Sequence, residues 1–177
     1  EPVERGPAPI DERAIEERSH VHEAAQVARV LAGAKAHTVA AEMPSRVVLG
    51  ADQTLTLGGQ RFSKPTDRDG AREQLRTLRG ATHRLHSALT LVRDGIVLFE
   101  HADSAELTMR AFSDRFLENY LDTAGEAAYA SVGGYQIENV GIHLFERIEG
   151  NYFTILGLPS PLLWGVVMFF LSMIPMA

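Results

Sequence analysis

Val47-Val48-Leu49-Gly50-Ala51-Asp52-Gln53-Thr54-Leu55 is the stretch on which the fold turns. Three apolar residues, two of them β-branched, run straight into Gly-Ala-Asp, the pattern of a buried strand. From Gln53 to Leu57 polar and apolar side chains alternate, as in a half-buried strand, and Gly58-Gly59 turns the chain. Asp52 is therefore expected where a core strand gives way to a bend or cleft. A strand holds such a carboxylate in position, as a catalytic site requires. An acid in that place more often forms a turn or a cap, so Asp52 decides nothing by itself.

Upstream, Glu1 to Ile10 holds three prolines and a glycine and is expected to be extended, and Ala14 to Arg18 can begin a helix. The clearest helix is Val21 to Ala41. Val21, Ala24, Ala25, Ala28, Leu31 and Ala32 fall on one face, and the alanines allow close packing on a sheet. Lys35 lies near that stripe, and Pro44 marks the turn out.

Downstream, Phe62-Ser63-Lys64-Pro65 is expected as a loop, because Pro65 keeps Lys64 out of helical geometry. Thr66 is the expected start of a helix whose apolar face is Ala71, Leu75 and Leu78 and which Gly80 ends. Thr82–Val92 and Ile96–Met109 flank Arg93-Asp94-Gly95, a hairpin signal. Ser113 can cap a helix carrying Phe116, Leu117, Tyr120 and Leu121. A glycine-rich segment runs from Ser131 to Gly141. Ile142–Ile148 and Tyr152–Leu156 are expected as two strands around Glu149-Gly150-Asn151, with Gly157-Leu158-Pro159 leading into a last helix. Helices mixed with strands and a hairpin point to an α/β fold with a mixed sheet, and 177 residues favour a single domain over 1–177.

The net charge of −6 gives no sign of a nucleic-acid surface, so no nucleic acid polymer is expected as a partner. There is no cysteine, hence no disulfide framework and no thiolate chemistry, which fits a cytoplasmic protein. No apolar signal segment opens the chain. Pro161 to Ala177 carries no charge, but the apolar run is too short for an ordinary spanning helix, so no membrane partner is expected. Residues 160–177 read as an atypical apolar tail that would invite aggregation or a dimer contact if exposed.

Phosphate-loop, dinucleotide-fingerprint and nucleophile-elbow motifs are absent. None of the seven histidines has metal-ligand spacing. His83 and His86 are three apart on an expected strand and so point to opposite faces; a structural or solvated role is the better one for each. What remains is a set of acids and lysines at loops and element ends: Glu12, Lys35, Asp52, Lys64 and Glu138. Carboxylates bind hard cations such as Mg²⁺ and lysines bind phosphate oxygens as point charges. Together they would suit metal-assisted attack of water on a phosphate chain, although spacing alone does not bring them together.

Gly50-Ala51-Asp52-Gln53, Lys64-Pro65, Leu144-Phe145-Glu146-Arg147-Ile148-Glu149-Gly150 and Gly157-Leu158-Pro159 occur in the order, and at about the spacing, of the Maf family of nucleotide pyrophosphatases. Asp11-Glu12 and Leu31-Ala32-Gly33-Ala34-Lys35-Ala36 resemble the first half of the same family. The resemblance covers about residues 9–159. It implies an elongated α/β structure, a mixed sheet flanked by helices with a central cleft between two lobes, similar to the inosine triphosphate pyrophosphatases. It implies cleavage of a nucleoside triphosphate (NTP) to the monophosphate and pyrophosphate in nucleotide-pool sanitation, with a divalent metal cation, Mg²⁺ or Mn²⁺. It also admits a homodimer.

By the same resemblance Asp52 is the catalytic acid that accepts a proton from water and, with Glu12, holds the metal. Lys35 and Lys64 face the phosphates. Gln53 stands where many members have Thr, and Glu138 where many have Gln, in the segment that contacts the base. Asp-Gln with an acidic residue at Glu138 resembles the branch that prefers 7-methyl-GTP, since a carboxylate accepts from the N–H donors of a guanine edge. Asn139 replaces the usual Gly. The family's opening strand and Ser-x-Ser-x-x-Arg loop have no match before Asp11, so the phosphate site is expected to be incomplete. Two other readings stay open: a non-catalytic nucleotide-binding regulator of cell division, and a truncated inactive fragment.

Overall fold

The computed structural model describes residues 8–155. The first residues of the expected extended start, the helix expected after Pro159 and the apolar tail lie outside them. Within them the fold is α/β, with five strands in one sheet in the order β2-β1-β3-β4-β5. The strands are β1 (Val48–Leu57), β2 (Gln60–Phe62), β3 (Thr82–Arg93), β4 (Ile96–Met109) and β5 (Phe145–Glu149), and the helices α1 (Glu12–Ser19), α2 (Ala24–Glu42), α3 (Arg68–Leu78), α4 (Asp114–Ala124), α5 (Ala127–Ala130) and α6 (Tyr152–Ile155). The pairs β1/β2 and β4/β5 are antiparallel. Asp94 and Gly95, both at positive φ, make the two-residue turn between β3 and β4.

The chain forms two compact units, and β1, β3 and β4 contribute residues to each. The first contains residues up to 53 together with 87–103. Asp11 caps α1, its carboxylate accepting from the Ala14 amide at 3.0 Å. In α2, Ala28, Ala32, Ala36 and Ala40 recur every fourth residue and are buried, packing with Ala88, Val48 and Val92. The contact is close because Gly50 has no side chain: a Cβ there would lie 2.2 Å from the Ala32 carbonyl oxygen and 2.6 Å from the Ala36 amide nitrogen.

Two expectations for this stretch are corrected. β1 runs unbroken from Val48 to Leu57, so Asp52 lies inside a strand rather than at its end. Gly50 is the point where a helix backbone meets the strand, not a break in it. Nor is the apolar run buried on both faces: Val48 and Gly50 face α2, whereas Leu49 is 44% exposed.

The second unit contains residues 54–86 and everything described from Ser104 onward. Its core is made of large side chains, among them Leu55, Leu75, Leu78, Leu107, Leu117 and Leu121. Ser113 caps α4 through the Phe116 amide as expected. The cap of α3 is Asp67, which accepts from the Gly70 amide at 2.7 Å, and not Thr66; the carboxylate one residue on takes the orphan donor. Arg72 and Arg68 on α3 bond to Glu118 on α4 and hold its carboxyl at about 2.

Near the described C-terminus the expected strand Ile142–Ile148 divides into a 3-10 turn, Val140–Leu144, and β5. Tyr152–Ile155 is a helical turn, not a strand: the Ile155 amide bonds back to the Asn151 carbonyl at 3.3 Å. Short apolar runs carry no period that separates these two outcomes.

Candidate active site

Three of the sequence-selected residues meet in the first unit. Asp52 and Gly50 share a face of β1, because alternate residues of a strand point the same way. Gly50 lets α2 approach that face, and Lys35 on α2 then reaches Asp52. The Lys35 ammonium donates to Asp52 Oδ1 at 2.5 Å and lies 2.7 Å from Glu12 Oε1 in the first turn of α1. The side chains are 9% exposed at Asp52, 22% at Lys35 and 49% at Glu12, so the trio spans the range from strand to solvent. Burial alone would push the Lys35 pKa down. The hydrogen bonds and charges of Asp52 and Glu12 outweigh it, and the pKa stands above the ordinary lysine value.

Gln53 points to the opposite face from Asp52, and its amide nitrogen donates to Ser87 Oγ at 2.8 Å. Ser87 was not selected from the sequence; only the pairing of β1 with β3 brings it beside Gln53. Lys64 and Glu138 belong to the second unit, each exposed on a loop. Beside Glu138, the Asn139 amide donates to Gln136 Oε1 at 2.9 Å, and Gln136 and Asn139 line a hollow of about 210 Å³ with Tyr120, Thr123 and Ala124 of α4. No motif or spacing in the chain signals that hollow.

The two histidines separate as the strand period requires. His83 is buried with its Nε2 2.7 Å from the Tyr135 hydroxyl, and burial lowers its pKa to about 4. His86 lies on the other face between Thr56 Oγ1, at 3.1 Å, and Ser104 Oγ, at 2.7 Å.

Among the described residues no three His, Asp or Glu side chains form a metal-binding group. Mg²⁺ needs less than that, since it keeps several waters and binds through one or two carboxylates plus substrate phosphates. Glu12 and Asp52 fit this pattern: both converge on one cation, the Lys35 ammonium. No helix among the described residues is long and apolar enough to cross a membrane.

Fold and site thus define an α/β protein with a paired-carboxylate and lysine centre on its sheet. The chain belongs to the Maf-like protein family, whose model matches residues 2–168. It is 52% identical over 158 residues to a nucleoside triphosphate pyrophosphatase of Rhodopseudomonas palustris, covering 89% of this chain and 78% of the relative. A relative with the same description from Nitrobacter winogradskyi is also 52% identical, with the same coverage. A 7-methyl-GTP pyrophosphatase of Rhizobium etli is 53% identical over 163 residues, covering 90% of this chain and 82% of the relative.

Proposed function

We propose that this protein hydrolyses nucleoside triphosphates to the monophosphate and pyrophosphate, with a modified guanine nucleotide such as 7-methyl-GTP as the favoured substrate, and that it does so in the cytoplasm with Mg²⁺ or Mn²⁺. The observation that carries this is the convergence of Asp52, Glu12 and Lys35 on one point, in a chain about half identical to pyrophosphatases over most of its length.

The reaction consumes one water, breaks the anhydride between the α- and β-phosphates and releases a proton. Asp52, held by a continuous strand, accepts the proton of the attacking water. Lys35 offers its ammonium to phosphate oxygens and so offsets charge that builds on the leaving pyrophosphate. Glu12 and Asp52 would hold the metal, which when bound would neutralise the polyphosphate and polarise the reacting phosphorus. The role of Lys64 on the phosphates and that of Glu138 on the base rest on the family resemblance.

The test is pyrophosphate release from a panel of canonical and methylated triphosphates with Mg²⁺ or Mn²⁺. Asp52→Asn is expected to lower the rate by about 10²–10⁴-fold while the melting temperature and circular dichroism stay those of a folded protein. Release at the unsubstituted rate in that variant would remove Asp52 from the chemistry.

A further inference from the structure

One ammonium occupies the place where two carboxylates converge. With Lys35 Nζ 2.5 Å from Asp52 and 2.7 Å from Glu12, those carboxylate oxygens are no more than about 5 Å apart, and the ammonium lies between them. Mg²⁺ binds carboxylate oxygens at short range, about 2.0–2.1 Å, so a metal held by Glu12 and Asp52 would compete with the ammonium for the space between them. A single and a double positive charge within bonding distance of the same oxygens repel each other. The lysine therefore has to leave before the metal enters. It has a four-carbon flexible stem, its side chain is 22% exposed, and a triphosphate offers it oxygen acceptors of the kind an ammonium binds.

We propose that Lys35 is a built-in lock on the metal site: it fills the gap between Glu12 and Asp52 until a polyphosphate draws it away, so that metal and nucleotide enter together. The proposal rests on the reading above that Glu12 and Asp52 are the metal ligands. It assigns Lys35 two successive partners, the carboxylates in the resting protein and the phosphates in the loaded one. Departure of the lysine also removes the hydrogen bond that Asp52 Oδ1 accepts from it at rest. Because coupling between two ligands is reciprocal, a lock that the nucleotide opens must also make metal-free nucleotide binding weaker than metal-loaded binding.

The experiment is Mn²⁺ titration of the full chain without nucleotide, with free Mn²⁺ followed by electron paramagnetic resonance. Lys35→Met is the main variant and Lys35→Gln a second one in case the first does not fold. Arg29→Met serves as the charge control: it removes one cation from the same helix, where Arg29 pairs with Glu100 at 3.5 Å. The expected result is Mn²⁺ binding at least about tenfold tighter in the Lys35 variant than in the unsubstituted protein, no gain in Arg29→Met, and loss of the gain when Asp52→Asn is added. If the Lys35 variants bind Mn²⁺ no more tightly while binding still depends on Asp52, the lock is wrong and the metal site stands. An equal gain in Arg29→Met reduces the effect to net charge and overturns the lock. If no variant binds Mn²⁺ through Asp52, with or without an α,β-methylene triphosphate, the metal assignment fails and the lock falls with it.

Discussion

The two units of this molecule are packed in opposite ways. Where α2 meets the sheet in the first unit, the helix side of the contact is Ala28, Ala32, Ala36 and Ala40, set over Gly50 with Ala88, Val48 and Val92. The second unit is filled by leucines, with Met109, Tyr120, Tyr135 and Phe145 among them. A buried leucine contributes about 1.5–3 kcal/mol through area removed from water, and an alanine much less. The first unit gives up that burial energy and gains a backbone approach so close that a single methyl group would violate it. The ion cluster of Glu12, Lys35 and Asp52 sits on this tightly fitted contact. Close-packed rigid elements hold charged groups in register better than long side chains do, so the difference separates positioning from stability.

The comparison can be broken by one substitution in each unit. Leu121→Ala, at a fully buried position in the second unit, is expected to cost about 2–5 kcal/mol of stability through lost burial and a cavity, with the rate per folded molecule preserved. Gly50→Ala is expected to cost about 1–3 kcal/mol by overpacking, but it also pushes α2, and Lys35 with it, off Asp52. Denaturant midpoints together with pyrophosphate release at a temperature where both variants are folded make the check. The expected pattern is crossed: the larger stability loss in Leu121→Ala, the larger rate loss in Gly50→Ala. Equal rate losses would mean that the alanine contact has no special part in positioning.

A second way to sharpen it uses pH. His83 is buried among the aromatic side chains of the second unit, Tyr135 and Phe145. Its Nδ1 has no hydrogen-bond partner among the described residues. Burial lowers its pKa from 6.5 to about 4, so the unfolded chain binds the proton first as pH falls. Stability from this group is complete above pH 6.5 and is lost as pH falls towards 4. The whole loss is about 3 kcal/mol, of which about 2 kcal/mol is gone at pH 5. His83→Gln, which keeps a polar partner for the Tyr135 hydroxyl, should flatten the fall in urea midpoint between about pH 7 and pH 5. An unchanged slope in that variant would place the acid sensitivity elsewhere.

What the sequence made legible was local chemistry. The alanine stripe of α2, the Asp94-Gly95 turn and the Ser113 cap are each decided by a few neighbouring residues, and each is present. The continuity of β1 was not legible, because the apolar run stops at Gly-Ala-Asp and an acid there reads as a strand end, whereas Gly50 admits another element's backbone. The same limit hid the helical turn Tyr152–Ile155, where a run of four residues has no measurable period. The meeting of Glu12, Lys35 and Asp52 is long-range: Lys35 and Asp52 are seventeen residues apart, and no window of sequence contains the geometry. The motifs of the family resemblance singled those residues out, and the close approach of α2 to β1 explains why they meet.

The smallest expected effect concerns the base. Glu138 is exposed on the loop whose neighbouring side chains, Gln136 and Asn139, are tied to each other by an amide hydrogen bond. That bond leaves Glu138 as the negative group of the segment. An ionised carboxylate only accepts hydrogen bonds, whereas Gln offers one acceptor and two donors. A guanine edge presents adjacent N–H donors, so it loses one partner when Glu138 becomes Gln, while a pyrimidine carbonyl gains one. Glu138→Gln should therefore shift the ratio of kcat/KM for guanine-type over pyrimidine triphosphates by about 1 kcal/mol, roughly fivefold, towards pyrimidines. Stability should be untouched, because the side chain is exposed. Steady-state pyrophosphate release on paired substrates measures the ratio. If the ranking of bases does not move, Glu138 does not read the base, and discrimination has to come from another part of the chain.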